Sequence, residues 1–340
     1  MAPLAPLLPL EEIAVVGLAG AGSVGTAWAA LLLYAEFDVV VFDPDPQAPR
    51  RVRAGVEAAW DTFRQLRQEA PASPPLARLR FVETLEALAA DSDLVQENVT
   101  EAIDVKGKVI SEIDRYLAPD RLILSSSGGV PPTRMQEYCV HPERLVLGHP
   151  FHPAHVIPLV EVLGGDRTRP DAVVLAKAFY QKLGKRPIVL LKERVGHLSN
   201  RLQFALLREA INCLNEGVAS ADDIDAAVRW GLGLRWALMG PLMTLNLAGG
   251  DGGIEQILSR FKGDVELWWA SLGQPTLTPD VCESLRKGVE QLRGDRSNAE
   301  WSKWRDEQLI ELLTFRQGHP YPDETAVDPS AGSANVAVSS

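Results

Sequence analysis

Cysteine, lysine and long apolar runs are scarce in this chain, and each scarcity removes a class of protein. Its 340 residues hold three cysteines, Cys139, Cys213 and Cys282. They are odd in number and widely separated, so reduced thiols buried as small hydrophobes in a cytoplasmic protein are expected rather than a disulfide framework. No stretch approaches the ~18 uncharged apolar residues that a membrane span requires. The start, Met1 to Leu10, is apolar, lacks a basic residue and contains three prolines. It fits neither a signal peptide nor a helix, so residues 1–12 read as a short arm. Basic charge is also lacking: Lys and Arg number 34 against 45 Asp and Glu, a net charge of −11. Nucleic acids and anionic membranes are polyanions that such a surface repels, so the expected partner is a small molecule, with neither nucleic acid nor membrane. The first lysine is Lys106, which leaves only arginines in the early helices to meet the phosphates of a CoA ester and disfavours an acyl-CoA substrate.

With 46% hydrophobic residues, the chain can bury more than one core, because single cores stop growing at roughly 250–300 residues. Ile13 to Val16 reads as a short buried strand, Thr26 to Ala35 as a helix, and Asp38 to Phe42 as a second strand. Further apolar runs at 79–82, 94–97, 122–124 and 146–147 are separated by helical patterns. Strands alternating with helices predict an α/β fold, a Rossmann-type doubly wound parallel sheet over residues 13–192. From 193 to 317 the periodicity is helical, with Arg201 to Gly217 as one helix and Ser220 capping the next, which predicts an all-α C-terminal domain for substrate and dimerisation. Helices with outward-facing apolar residues predict a homodimer through that half. Residues 318–340, rich in Pro, Asp, Ser, Ala and Gly, read as a disordered tail.

Between the first strand and the first helix, Gly20, Gly22 and Gly25 form a Gly-x-Gly-x-x-Gly turn. The first glycine permits the turn, the second lets a pyrophosphate approach the backbone, and the third allows close packing of helix on strand. Phosphate would sit on the free N–H groups of Ser23, Val24 and Gly25, where the helix dipole favours negative charge. Asp43, at the end of the second strand, can accept from a ribose 2′-hydroxyl and would repel a 2′-phosphate, so NAD is the expected cofactor rather than NADP, with Arg50 and Arg51 nearby. Gly17 to Ala19 are extra residues between a strand ending at Val16 and a loop starting at Gly20. The expectation is a bulge there and weakened cofactor affinity.

Downstream lie Glu101-Ala-Ile-Asp-Val-Lys106, Ser125-Ser-Ser-Gly-Gly129, Gly148-His-Pro-Phe151, Pro158-Leu-Val-Glu-Val162, Asn200-Arg-Leu-Gln203 and Gly231-Leu-Gly-Leu-Arg-Trp236. With the glycine loop and Asp43, these segments resemble the 3-hydroxyacyl-CoA dehydrogenase superfamily over about residues 13–315. Within it they are closest to the free-acid branch of L-gulonate 3-dehydrogenase (lambda-crystallin) and L-carnitine dehydrogenase. The resemblance implies that His149 takes the proton of a substrate 3-hydroxyl while hydride passes to nicotinamide. An imidazole suits that task because it accepts and returns a proton near neutrality. Glu161 would bond the other ring nitrogen and fix the tautomer. Asn200 matches an orienting amide, and Glu101 and Lys106 match positions that contact the cofactor's ribose and nicotinamide. Arg235 can grip a carboxylate with a bidentate fork, and Trp236 beside it can hold a quaternary ammonium by cation–π attraction.

Two residues depart from the family pattern. Gly128 stands where the family carries a serine that bonds the substrate oxygen, and His152 stands where it carries asparagine. Ser126, Ser127 or His152 can substitute for the lost hydroxyl, and the vacated space can admit a bulkier substrate. His149, His152 and His155 are three apart, but the intervening prolines break the helical geometry that would gather them on a metal, so no metal site is expected. The leading expectation is a cytoplasmic NAD-dependent dehydrogenase of a small 3-hydroxy carboxylic acid. An NAD(H)-binding protein with little turnover, imine reduction or retro-aldol cleavage on the same scaffold, and a 3-hydroxyacyl-CoA dehydrogenase remain as alternatives.

Overall fold

The computed structural model describes residues 5–66 and 70–322, and the predicted tail from 323 onward lies outside the described residues. Contacts divide the chain into two units, one ending at Leu202 and the other starting at Gln203.

The first unit is built on eight strands: β1 Val15–Ala19, β2 Asp38–Phe42, β3 Leu79–Phe81, β4 Leu94–Glu97, β5 Leu122–Ser125, β6 Leu145–Pro150, β7 Leu159–Gly164 and β8 Arg186–Val189. They form one sheet in the order β3-β2-β1-β4-β5-β6-β7-β8. Its helices are α1 Ser23–Tyr34, α2 Ala48–Leu66, α3 Leu85–Ala90, α4 Ile103–Tyr116, α5 Pro132–Gln136 and α6 Pro170–Lys182. The central strands are covered on both faces and start apolar: every residue of β4, β5 and β6 is buried, including the polar Gln96, Glu97, Ser125 and His149 toward their carboxyl ends. Helix α1 is apolar nearly all round, with Ala27 to Leu33 buried, which marks a helix sunk against the sheet. Helix α2 instead buries one stripe, Val52, Val56, Ala59, Trp60 and Phe63.

Strand direction differs from the all-parallel expectation. β7 pairs with β6 antiparallel, and β8 follows β7 in parallel. The two strands are close in sequence, so a short turn returns the chain beside β6 with no crossover helix. One consequence is that His149 lies directly opposite Glu161 in the ladder.

The glycine loop also differs from expectation. β1 begins two residues later than predicted and pairs without interruption from Val15↔Asp38 to Ala19↔Phe42, and the Gly20 N–H then donates to the Phe42 carbonyl at 2.9 Å. Leu18 and Ala19, each fully buried, are strand residues. There is no bulge, and the reason given for weakened cofactor affinity disappears with it.

The N-terminal arm is docked from residue 5 onward: Arg169 donates to the Ala5 carbonyl at 2.6 Å, and Leu7, Leu8 and Leu10 pack on the core. In the second unit every element among the described residues is helical. After α7, Ser199–Asn215, which crosses the unit boundary, come α8 Ala221–Ala227, a π turn Val228–Leu232, α9 Gly233–Trp236, α10 Pro241–Ala248, α11 Gly253–Ser271, α12 Pro279–Arg293 and α13 Asn298–Gly318. Ser220 caps α8 by accepting from the Asp223 N–H. No helix of the described residues is long and apolar enough to cross a membrane.

Candidate active site

Strand order reverses between β1 and β4, and at such a switch point the carboxyl ends of parallel strands open a crevice for a ligand. Gly20 stands there with φ +92°, and a side chain at Gly20 would meet the Asn98 backbone at 2.9 Å. At Gly25 a Cβ would lie 2.0 Å from the Gly20 carbonyl oxygen, so α1 can approach the loop this closely only through glycine. At Gly22 a Cβ would meet nothing within 4 Å. Gly22 is also the N-cap of α1 and supplies no side-chain cap, leaving the first N–H groups of Ser23, Val24 and Gly25 open to an anion. The space, the free donors and the dipole together fit a dinucleotide pyrophosphate.

Asp43 holds this loop. Its carboxylate accepts from the Ala21 N–H at 2.7 Å and from the Asp45 N–H at 2.9 Å, leaving lone pairs for a ribose. Arg51 is paired with Asp45 at 2.5 Å and bonds the Ala21 carbonyl. An arginine so engaged is not a free receptor for a 2′-phosphate.

Glu101 stands partly exposed ahead of α4, and Lys106 lies in the first turn of that helix. Lys106 is 1% exposed and donates to Glu97 Oε1 at 3.0 Å and to the Val99 carbonyl at 3.1 Å, with Glu101 Oε2 at 3.3 Å. Burial pushes the Glu97 carboxyl up despite Lys106 beside it. Glu101 accepts from the Ser127 hydroxyl at 2.6 Å and from the Gly129 and Val130 N–H groups at 2.8 and 3.0 Å. Partial burial works to raise its carboxyl, and the Ser127 bond and Lys106 override it, leaving it below the ordinary value. Lysine and glutamate therefore fix the turn that carries Gly128.

His149 and Glu161 meet as the ladder register requires. His149 Nδ1 lies 2.9 Å from Glu161 Oε2, while Oε1 accepts from the N–H groups of Leu198 and Ser199 at 3.1 and 2.7 Å and from the Ser199 hydroxyl at 2.9 Å. Burial alone would raise Glu161, but the bonds from His149 and Ser199 hold it below the usual carboxylate range. An ionised Glu161 requires a proton on His149 Nδ1, and in the neutral tautomer Nε2 then carries the lone pair. That nitrogen faces Gly128: a Cβ there would stand 3.2 Å from Nε2 and 3.5 Å from Asn200 Nδ2. The Asn200 amide donates to the Gly128 carbonyl at 3.0 Å.

The residues considered as substitutes for the missing hydroxyl lie elsewhere. Ser126 donates to Asn98 Oδ1 at 2.7 Å and accepts from Trp28 Nε1 and Gln96 Nε2. Ser127 is fully buried and donates to Glu101. Each hydroxyl proton is already committed inside the protein, so the structure differs from the expectation that either would reach a substrate. His152 is exposed, while His155 packs edge-on against Phe63, so the three-histidine spacing gathers no cluster. Arg235 and Trp236 fall on α9 in the second unit, and Trp236 is 37% exposed.

One buried histidine was not singled out in the sequence. His197 is 2% exposed, its ring centroid lies 5.4 Å from that of His149, and its Nε2 is 3.1 Å from the Ser127 carbonyl. Its only sequence signal is a polar residue after Gly196 at the entry to a helix, too common a pattern to mark a site.

Comparison with known proteins agrees with this geometry. Residues 12–194 match the NAD-binding domain of 3-hydroxyacyl-CoA dehydrogenase, and residues 196–299 match its C-terminal domain. The chain is 40% identical to L-carnitine dehydrogenase of Bacillus cereus (strain ZK / E33L) over 292 residues, 86% of this chain and 89% of that one. It is also 40% identical to L-carnitine dehydrogenase of Burkholderia mallei (strain ATCC 23344) over 308 residues, 89% and 95%. Among solved structures, 5-formyl-3-hydroxy-2-methylpyridine 4-carboxylic acid 5-dehydrogenase, described as an NAD+ dependent dismutase, is similar with a TM-score of 0.77 and 29% identity, over 90% of this chain and 98% of that one. With both domain models matched in order across most of its length, the chain belongs to the 3-hydroxyacyl-CoA dehydrogenase family and is an NAD-dependent dehydrogenase acting on a CH–OH group.

Proposed function

We propose that this enzyme oxidises the 3-hydroxyl of a small free hydroxy acid of the betaine type, with L-carnitine as the first substrate to test. The observation that carries the reading is the bare Nε2 of His149, held by Glu161 on one side and faced on the other by the side-chain-free Gly128. Gly20, Gly22 and Gly25 with the first N–H groups of α1 would hold the pyrophosphate, and Asp43 the adenosine ribose. Bound NAD supplies the hydride acceptor. His149 Nε2 takes the hydroxyl proton, so the carbon bearing it loses a hydride and becomes a ketone. Glu161 stabilises the resulting imidazolium and keeps the ring in the productive tautomer. Asn200 holds the Gly128 carbonyl and thereby the wall opposite His149. The free-acid choice rests on the named relatives and on the lack of lysine before Lys106. For Arg235 and Trp236 the proposed roles are carboxylate and quaternary ammonium recognition.

A second reading, NAD(H) binding with little turnover, is favoured by one fact: neither Ser126 nor Ser127 has a proton to replace the hydroxyl missing at Gly128. One experiment separates the two. NADH binding is titrated by fluorescence, then NAD reduction is followed with L-carnitine, L-gulonate, 3-hydroxybutyrate and its CoA ester. Turnover on a free acid that is lost in His149→Ala supports the dehydrogenase, whereas binding without turnover on any of them supports the second reading. We further infer a homodimer formed through the helical unit.

A further inference from the structure

His197 presents three facts that belong together. Its backbone has φ +51°, the left-handed region that is unfavourable for a non-glycine residue and persists only where surroundings enforce it. Its Nε2 bonds a carbonyl, that of Ser127. Because a carbonyl only accepts, Nε2 carries the hydrogen. Its Nδ1 is buried with no hydrogen-bond partner. An unpaired acceptor is a modest cost, but a proton added there would bury an N–H donor and a charge with nothing to receive them, beside a second imidazole.

The segment that follows explains the enforcement. Leu198 and Ser199 donate to Glu161, and Asn200 donates to the Gly128 carbonyl. Residues 197–200 therefore grip two consecutive carbonyls of the glycine turn, Ser127 through His197 and Gly128 through Asn200, while bonding the carboxylate behind His149. The charged or titratable groups facing His197 are His149 on β6, Glu161 on β7 and Glu101 ahead of α4. Of these, Glu161 is already paired to His149 and Glu101 to the turn, so neither turns toward His197 as a hydrogen-bond partner.

We propose that His197 is a positioning residue of the proton-transfer site: as a neutral Nε2–H imidazole it pins the Ser127 carbonyl, and with it Gly128, at a fixed distance from His149 Nε2, and keeps the pair of rings to at most one positive charge. This rests on the reading of His149 as the base, but its structural half stands apart from that reading. Burial and the nearby His149 both push the His197 imidazole below its ordinary value, in keeping with a ring that stays neutral.

The test has two arms. In the wild-type protein labelled with 15N-histidine, His197 should show the Nε2–H tautomer at neutral pH and titrate only below its ordinary value. An Nδ1–H tautomer, or a His197 that titrates before His149, overturns the proposal whatever the enzyme's substrate. In the second arm, His197→Phe keeps ring volume but loses the bond, whereas His197→Gln keeps an amide donor. One lost hydrogen bond corresponds to about 10-fold. Turnover of L-carnitine is therefore expected to fall about 10-fold in kcat for Phe, with KM within about 2-fold, and to recover partly in Gln. Wild-type kcat in both variants overturns the positioning role. Absence of turnover in the wild type itself rejects the substrate reading and leaves the tautomer arm to decide.

Discussion

Gly128 and Glu161 act on His149 from opposite sides, and their substitutions separate sterics from charge. Gly128→Ala places a methyl 3.2 Å from Nε2, tighter than ordinary contact, in the space where the substrate carbon would sit. Overpacking of this kind costs about 1–3 kcal/mol, so KM for L-carnitine is expected to rise about 5- to 150-fold, with a smaller rise for the slimmer 3-hydroxybutyrate. Equal changes for both in steady-state assays would remove Gly128 from the specificity argument. Glu161→Gln keeps the shape but loses the charge that stabilises an imidazolium, and kcat should fall on the order of 10²–10⁴ by comparison with triad aspartates. Stability carries the same signature. Glu161 binds its proton less readily folded than unfolded, so its contribution is complete above the ordinary carboxylate value of 4.5 and is lost as pH falls below it. The Tm gap between wild type and Glu161→Gln should narrow as pH drops from 6 toward about 4. His197 is also held below its ordinary 6.5, so its neutral form stabilises the fold above that pH and the benefit fades as pH falls through the window beneath it. Denaturant midpoints at pH 7.5 and 5.5 should show wild type losing more stability than His197→Phe, and parallel losses would contradict this.

At the scale of elements, the glycine loop allows binding and folding to be told apart. Gly22 has ordinary angles, φ −70° and ψ −162°, and open space around it. Gly22→Ala should leave Tm within about 2 °C while weakening NADH at least about 10-fold, because the added methyl meets only the pyrophosphate. Gly25→Ala drives a methyl into the Gly20 carbonyl and should instead lower stability by about 1–3 kcal/mol. Thermal melts with and without NADH read both outcomes. The elements themselves were legible to differing degrees. β2 could be read from the sequence because Val39 to Phe42 is an unbroken apolar run, as buried parallel strands tend to be, and β4 from its Leu94-Val95 start, although Gln96 and Glu97 are buried polar residues. β8 was not, although Ile188 to Leu191 is a short apolar run: Lys185, Arg186 and Pro187 lead into it, and Arg186–Val189 lies at the sheet edge with three of its four residues exposed. β1 was misplaced because Gly17 reads as the end of a strand, yet it lies within the ladder, where even a methyl would press on Ser92 at 2.4 Å. The His149–Glu161 pairing was reached through family resemblance. Its physical cause, an antiparallel neighbour in an otherwise parallel run, has no signature in hydrophobic periodicity.

For the whole molecule, the two units differ in how much core they own. Among the described residues of the helical unit only Ile211, Val281 and Ile310 are buried hydrophobics, while Trp230, Trp268, Trp269 and Trp304 are 50–73% exposed. A helical unit with so little interior needs further cover for its apolar faces. Sedimentation at micromolar concentration should give twice the 37.1 kDa chain mass, and Tm should fall on dilution because association then contributes to stability. A monomer whose Tm is independent of concentration would reject the dimer.

The antiparallel ladder of β6 and β7 has a consequence for how this fold can diversify. The separation between His149 and Glu161 is measured by backbone hydrogen bonds across the sheet, not by the eight residues, 151–158, that join the two strands. The residues of that join that do not pack inward, the exposed His152 among them, can therefore vary in charge while His149 and Glu161 keep their spacing. A lineage can rewrite that border of the reaction centre without re-inventing the chemistry.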